Sequence, residues 1–460
     1  MALIKSISGI RGTIGGNPGT NLTPLDIIKF TAAFATSLNQ VSANKKIVIG
    51  RDGRISGSMV SGLCSNTLLA CGFDVIDLGL TTTPTVEIAV SNEKAAGGII
   101  LTASHNPQEW NALKLLNSNG EFLDAEAGEK VLSIAESEQF SFLPVNKLGT
   151  YTSDNSYLQK HIDAVLNYDL VDVEAIKKAK FKIVVDPVNS SGAIYIPALL
   201  KALGVKDIIV INQDVNGKFE HNPEPLPKNL IGLSNEVTKQ NASLGIAIDP
   251  DVDRLCFVCE DGSMFGEEYT LVAVADYILG KRKGNTVSNM SSTKSLKEIT
   301  HQHGGEYFPS PVGEVNVVQK MKDVNAVIGG EGNGGIIVPD FHYGRDALIG
   351  IGLFLSHLAH SKKSIKQLRG MYPDYFISKN KITLENNVNV KDIFQKIKDK
   401  YKNNPINTED GLKIEFGNDW VHLRTSNTEP ILRIYSESNF ETTAENIARK
   451  IMKDIHEVMS

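Results

Sequence analysis

Gly97-Gly98-Ile99-Ile100-Leu101 runs without a break into Thr102-Ala103-Ser104-His105-Asn106-Pro107. The apolar run is continuous rather than alternating, which predicts a strand covered on both faces, as in an α/β sheet. The polar turn ending in Pro marks where that strand stops. Two later stretches end alike. L-G-I-A-I at 244–248 leads into Asp249-Pro250-Asp251-Val252-Asp253-Arg254, and A-V-I at 326–328 leads into a glycine-rich loop at 329–335. In open α/β sheets ligands gather at the carboxyl ends of strands. Three such ends predict three α/β units facing a common cleft.

The flanking segments support this. K-I-V-I-G at 46–50 and residues 73–78 read as further strands of the first unit. Thr23-Pro24 opens a helix, since Thr caps well and Pro at the first helical position loses nothing. Residues 56–71 form a second helix. The pattern returns with strands at 181–186, 207–211 and 244–248 and a helix at 191–203. It returns again with strands at 286–290 and 325–328 and a helix from 345 to about 360. The tail differs. Strands at 379–384, 412–416, 421–424 and 431–436, with helices at 390–401 and from 442 onward, read as a small α+β domain. Breaks are expected near Gly149, just after Arg254 and near Pro373. The expected fold is therefore three similar α/β domains with mixed sheets (1–150, 151–254, 255–373) and a C-terminal α+β domain (374–460) around a central cleft.

The chain has 460 residues, 41% hydrophobic and 22% charged, which is ordinary globular composition and excludes a disordered or fibrous chain. Fifty-three acidic residues against 47 basic ones give a net charge of −6, without the basic excess of a nucleic-acid coat. No apolar stretch approaches the ~18 residues of a membrane span, and the N-terminus has no long apolar h-region. A cytoplasmic protein with neither nucleic-acid nor membrane partners is the expectation. The four cysteines are too few for a disulfide framework. Cys256-x-x-Cys259 lies in the strand-like run L-C-F-V-C, so it reads as packed thiols rather than a redox or zinc motif.

Four motifs carry chemistry. Asp249, Asp251 and Asp253 alternate along a strand-to-loop turn, where they repel one another unless a cation binds. Hard oxygen ligands suit Mg²⁺ or Ca²⁺. An EF-hand reading fails: Arg254 stands where the loop needs Gly, and a strand precedes it. A solvated acidic turn is the bland alternative. In T-A-S-H-N-P, Ser104 beside His105 reads either as an activated nucleophile or as a capped Asn-Pro turn. Lys114, in N-A-L-K, is either an acid/base group for the same site or a surface lysine. Residues 329–335 contain a formal G-x-G-x-x-G, but I-I-V-P follows and no acidic residue stands about 20 positions on, so a dinucleotide site is rejected. A loop exposing Glu331 and Asn333 to sugar-like hydroxyls remains, as does a tight hairpin. Arg424-Thr425-Ser426-Asn427-Thr428-Glu429-Pro430, with Arg433, suits a phosphate that is held but not transferred, or is a solvated turn.

Together and in this order, the four motifs resemble the α-D-phosphohexomutase family of phosphoglucomutases, phosphomannomutases and phosphoglucosamine mutases. The resemblance covers essentially the whole chain, and N-P-E-P-L-P at 222–227 adds to it. It implies four domains around a cleft and a Ser104 that carries a phosphoryl group. It implies one Mg²⁺ per chain, bound by Asp249, Asp251, Asp253 and the Ser104 phosphate. A hexose monophosphate substrate would pass through a 1,6-bisphosphate. Lys114 would be the general acid/base, assisted by Arg11 and His105. Arg254 would support the transferring phosphate and Glu331 and Asn333 would bind the sugar. Arg424, Ser426, Asn427, Thr428 and Arg433 would hold the stationary phosphate, on a tail able to hinge over substrate. Gly330-Glu331-Gly332-Asn333-Gly334 departs from the common bacterial G-E-x-S-G. With V-G-E-V-N-V-V at 312–318, it looks most like the archaeal-type enzymes, and glucosamine phosphate is the expected substrate ahead of mannose and glucose phosphates. The rivals are a non-catalytic sugar-phosphate-binding protein and a phosphatase that loses the Ser104 phosphate to water. A monomer or homodimer is expected.

Overall fold

The computed structural model describes residues 3–6, 9–384, 389–425 and 431–459. The apolar runs become the centres of three sheets. The first has seven strands, in the order Ile4–Ser6, Gly9–Thr13, Trp110–Leu116, Gly97–Leu101, Lys46–Arg51, Asp74–Leu80, Tyr151–Ser153. Gly97–Leu101 is wholly buried, parallel to Lys46–Arg51 and antiparallel to Trp110–Leu116, so the sheet is mixed. The helix at Pro24–Asn39 begins after Thr23 as its Thr-Pro pair predicts.

The second sheet has the order Leu255–Cys259, Leu244–Ile248, Lys182–Asp186, Asp207–Val210. The third has Tyr307–Ser310, Asn285–Asn289, Ala326–Glu331, Gly335–Ile337. The tail is a five-stranded antiparallel sheet backed by helices Val390–Lys400 and Glu441–Met459.

Strand pairing carries two sheets past the expected breaks. Leu255–Cys259 pairs antiparallel with Leu244–Ile248, residue for residue, so the aspartate loop is the turn of a hairpin within one sheet and the second sheet runs to Cys259. Tyr151–Ser153 pairs with the Asp74–Leu80 strand, so the first sheet reaches Ser153. Cys256 and Cys259 are free and buried, and they pack into different apolar clusters on opposite faces of their sheet. Burial pushes the Cys259 thiol up to about 11, which keeps it unreactive.

The second and third domains share one apolar core. Helix Ala347–Ser361 lies in it, with Phe354 stacked on Phe257 at 3.8 Å between centroids. This helix starts two residues later than expected. Asp346 is its N-cap, accepting from Leu348 N at 2.7 Å, and Arg345 is thereby left outside the helix. Among the described residues, no helix is long and apolar enough to cross a membrane.

Candidate active site

Ser104 follows directly on its strand and is 7% exposed. Its φ is +48°, a left-handed conformation that a non-glycine residue holds only when its surroundings enforce it. Two contacts do so. Ser104 N donates to Thr102 Oγ1 at 2.9 Å, and Arg54 Nη2 donates to Ser104 O at 2.5 Å. Arg54 also donates to Asn106 O (2.7 Å), Pro107 O (2.7 Å) and Trp110 O (2.9 Å), and its Nε meets Asp52 Oδ2 at 3.1 Å. One buried guanidinium thus gathers three carbonyls of the loop and the first of the strand that follows.

The loop at 249–254 comes to meet it from the second sheet. Ser104 Oγ donates to Asp249 Oδ2 at 2.7 Å. Asp249 Oδ1 accepts from the backbone N–H groups of Asp253 and Arg254, both at 3.2 Å, which folds the loop back on itself. Asp251 Oδ2 accepts from Lys114 Nζ at 2.6 Å and from Thr83 Oγ1 at 2.7 Å. Asp253 Oδ2 accepts from Arg345 Nη2 at 2.6 Å.

Carboxylate oxygens of the three aspartates lie within 4.8 Å of one another, and all three residues are buried. Asp251 Oδ1 and Asp253 Oδ1 are buried without a hydrogen-bond partner. Two unsatisfied carboxylate oxygens beside a third carboxylate and a hydroxyl form a donor set that fits a hard divalent cation. Burial, then the Asp253 and Asp251 charges, pushes Asp249 well above the usual carboxylate range. Burial pushes Asp253 up as well, but Arg345, Lys114 and Arg254 outweigh it and hold Asp253 below that range.

The other expected groups surround this centre. Lys114 is buried. Desolvation alone would pull its pKa down, but Asp251 and Asp253 raise it, so it is an ammonium. His105 Nδ1 is 3.4 Å from Ser104 Oγ, and burial, followed by the Arg254 charge, drives the ring well below its ordinary pKa. Arg11 sits on the strand paired with Trp110–Leu116, opposite Ala112, and burial and Arg254 lower its pKa. Arg254 is buried, with Nη1 3.4 Å from Glu224 in the N-P-E-P-L-P loop.

The glycine-rich loop is a hairpin, with Glu331 opposite Gly335. Gly334 has φ +88°, and a Cβ there would lie 2.3 Å from Leu255 O, so the loop is pressed against the end of the aspartate loop. Glu331 is not exposed as expected. It is 5% exposed because protein donors claim both oxygens: Asn289 Nδ2 at 2.8 Å, Gly313 N at 3.1 Å and Arg345 Nη1 at 2.8 Å. Asn333 turns inward too, capping Gly335 N at 3.2 Å. In the tail, Arg424 and Arg433 are register partners on adjacent strands, and Arg424 Nε is 3.1 Å from Asp410 Oδ2. Ser426, Asn427 and Thr428 lie outside the described residues.

Comparison with known proteins agrees with this geometry. The chain matches the phosphoglucomutase/phosphomannomutase alpha/beta/alpha domain I at residues 3–142, domain II at 159–262, domain III at 266–375 and the C-terminal domain at 385–454. The chain belongs to this family. A phosphoglucomutase/phosphomannomutase of Thermococcus kodakarensis is 35% identical over 97% of this chain and 98% of its own length. A phosphoglucosamine/phosphogalactosamine mutase of Sulfurisphaera tokodaii is 31% identical over 98% and 99%. A crystal structure of a phosphoglucomutase/phosphomannomutase family protein from Burkholderia thailandensis shares the fold. Its TM-score is 0.86 at 24% identity, covering 100% of this chain and 98% of that one.

Within this candidate site, sequence reasoning missed Arg345. Its guanidinium reaches Asp253 (2.6 Å), Glu331 (2.8 Å) and Glu314 (3.0 Å), joining the aspartate loop, the glycine-rich hairpin and the helix Glu314–Asp323. It also missed Arg54 and Asp52, whose only signal was the charge-rich G-R-D-G-R after a strand, and Thr83, which lies in the Thr-Pro start of helix Thr83–Asn92.

Proposed function

We propose that the chain is a phosphohexomutase that works through phosphorylated Ser104. The observation that carries this is the 2.7 Å approach of Ser104 Oγ to Asp249 within the buried aspartate trio. In the first half-reaction the Ser104 phosphoryl group passes to the free hydroxyl of a hexose monophosphate. The Ser104 O–P bond breaks and a sugar O–P bond forms, while a protein base takes the hydroxyl proton and a protein acid gives one to the departing Ser104 Oγ. The hexose 1,6-bisphosphate then reorients in the cleft. Its other phosphoryl group returns to Ser104, whose hydroxyl proton goes back to that acid, and the stored proton goes to the departing sugar oxygen.

His105, neutral by virtue of its burial, suits the accepting role, and Lys114, an ammonium between two carboxylates, suits the donating one. Arg11 and Arg254 add positive charge around the transferring group. Asp249, Asp251, Asp253 and the Ser104 phosphate would hold a Mg²⁺, which would supply charge neutralisation for that group. Glu331 and Asn333 present the sugar-binding hairpin. Arg424 and Arg433, with residues 426–428, hold the phosphate that is not being transferred.

Glucosamine 6-phosphate, converted to glucosamine 1-phosphate, is the substrate that the E-G-N-G-G loop and the V-G-E-V-N-V-V segment favour. The Sulfurisphaera tokodaii relative supports this reading. The identity to the Thermococcus kodakarensis phosphoglucomutase/phosphomannomutase favours glucose and mannose phosphates instead. Measuring kcat/KM for the three sugars decides between them. Glucosamine phosphate is expected to lead, and a lead for mannose or glucose phosphate would overturn that assignment.

A further inference from the structure

Asp410 lies in the turn ahead of strand Leu412–Phe416, at the face of the tail that meets the third domain. One oxygen, Oδ2, accepts from two donors on different domains: Arg424 Nε at 3.1 Å in the tail, and Val312 N at 2.9 Å in the third domain. The next backbone N–H, of Gly313, donates to Glu331 Oε1 at 3.1 Å. A continuous path thus runs from Arg424 through Asp410 and the turn at 312–313 to Glu331.

The surroundings keep this path rigid. The Asp410 carbonyl accepts from His422 Nε2 at 2.6 Å, and His422 Nδ1 is 2.8 Å from Ser291 Oγ of the third domain. Burial pulls His422 down to about 4, so the ring is neutral and one nitrogen accepts while the other donates. Gly411 has φ +76°, and a Cβ there would lie 2.2 Å from Leu423 O, so the turn is pressed onto the strand that carries both His422 and Arg424.

We propose that Asp410 is a positioning residue that couples the site of the stationary phosphate to the sugar-binding hairpin, by holding Arg424 and the 312–313 turn on one carboxylate oxygen. This rests on the reading above that Arg424 binds phosphate and Glu331 serves the sugar. The guanidinium is pinned through Nε, and its two terminal nitrogens, which take no hydrogen-bond partner among the described residues, can present a fork to the phosphate. A phosphate drawn to that fork moves the tail and the turn together, so that one binding event sets both contacts.

The test is a double-mutant cycle on the full chain with Asp410→Ala, Arg424→Ala and the pair, read as KM and kcat for the preferred hexose phosphate. Each single variant is expected to raise KM roughly ten- to hundredfold, the range for a lost charged hydrogen bond, with a smaller change in kcat. The double variant is expected to be no worse than the poorer single one. Fully multiplicative effects, or an unchanged KM in Asp410→Ala beside a raised KM in Arg424→Ala, would overturn the coupling and leave the phosphate site standing. An unchanged KM in Arg424→Ala would overturn the phosphate site itself, and the coupling with it. Asp410→Asn keeps an acceptor for Val312 N and replaces Asp410→Ala if the latter lowers Tm. It is expected to give an intermediate KM, and a wild-type KM in it would also count against the coupling.

Discussion

Ser104 Oγ and Asp249 Oδ2 share a 2.7 Å hydrogen bond between the end of a first-domain strand and the turn of a second-domain hairpin. Neither sheet alone makes the site. The first supplies a hydroxyl held at a strained backbone angle and a buried ammonium, and the second supplies three crowded carboxylates. Bringing them together costs desolvation of several charges. That cost is offset only if the charges are matched: Lys114 and Arg345 match Asp251 and Asp253, and the proposed cation would complete the match.

The outer contacts of the aspartate trio are expected to tune its affinity for metal. Thr83 Oγ1 orients Asp251 from the start of helix Thr83–Asn92. Thr83→Ala is expected to weaken Mg²⁺ binding about tenfold, the lower end for loss of a supporting hydrogen bond, as measured by calorimetry. Exhaustive chelation is expected to stop turnover in the unmutated protein, and activity that survived it would contradict the metal assignment.

Arg54 is expected to be the most costly single loss in the first domain. Its removal strands Asp52 as a buried charge without its ion-pair partner and takes one donor from each of the carbonyls of Ser104, Asn106, Pro107 and Trp110. Arg54→Ala should destabilise by about 3–5 kcal/mol, the range for breaking a buried ion pair. Arg54→Lys should not rescue it, because an ammonium cannot span four carbonyls and a carboxylate. Denaturant unfolding followed by first-domain fluorescence checks this.

Stability should also carry a signature of Glu268. Burial, against a smaller opposing effect of Lys379, pushes this carboxyl from its ordinary 4.5 up to about 8. The folded protein therefore keeps a proton that the unfolded chain releases. The resulting stability is fully present below about 4.5 and is lost as pH rises toward about 8. Glu268→Gln, which still accepts from Thr293 N, should flatten the fall of Tm across that window and leave Tm at its acid end nearly unchanged.

Much of this was legible because strand ends announce themselves. G-G-I-I-L, L-G-I-A-I and A-V-I are apolar runs that stop at polar loops, and the loops do meet. What was not legible depends on register or on distance in sequence. The break after Arg254 was misplaced because L-C-F-V-C pairs back onto the strand before it, and an apolar run does not state its partner. Arg345 was missed because its three carboxylates come from positions 253, 314 and 331, and beside Asp346 it reads as an ordinary helix start. Glu331 was expected on the surface for the same reason. The donors that bury it lie at 289, 313 and 345.

The proposed mechanism stands on Ser104 as the carrier of the phosphoryl group. Intact-mass spectrometry after incubation with a hexose 1,6-bisphosphate, followed by addition of a hexose monophosphate, tests it most directly. One phosphate per chain, lost on adding the monophosphate and never formed in Ser104→Ala, is the predicted result. A phosphate that still appears in Ser104→Ala, or full mutase activity in that variant, would contradict it.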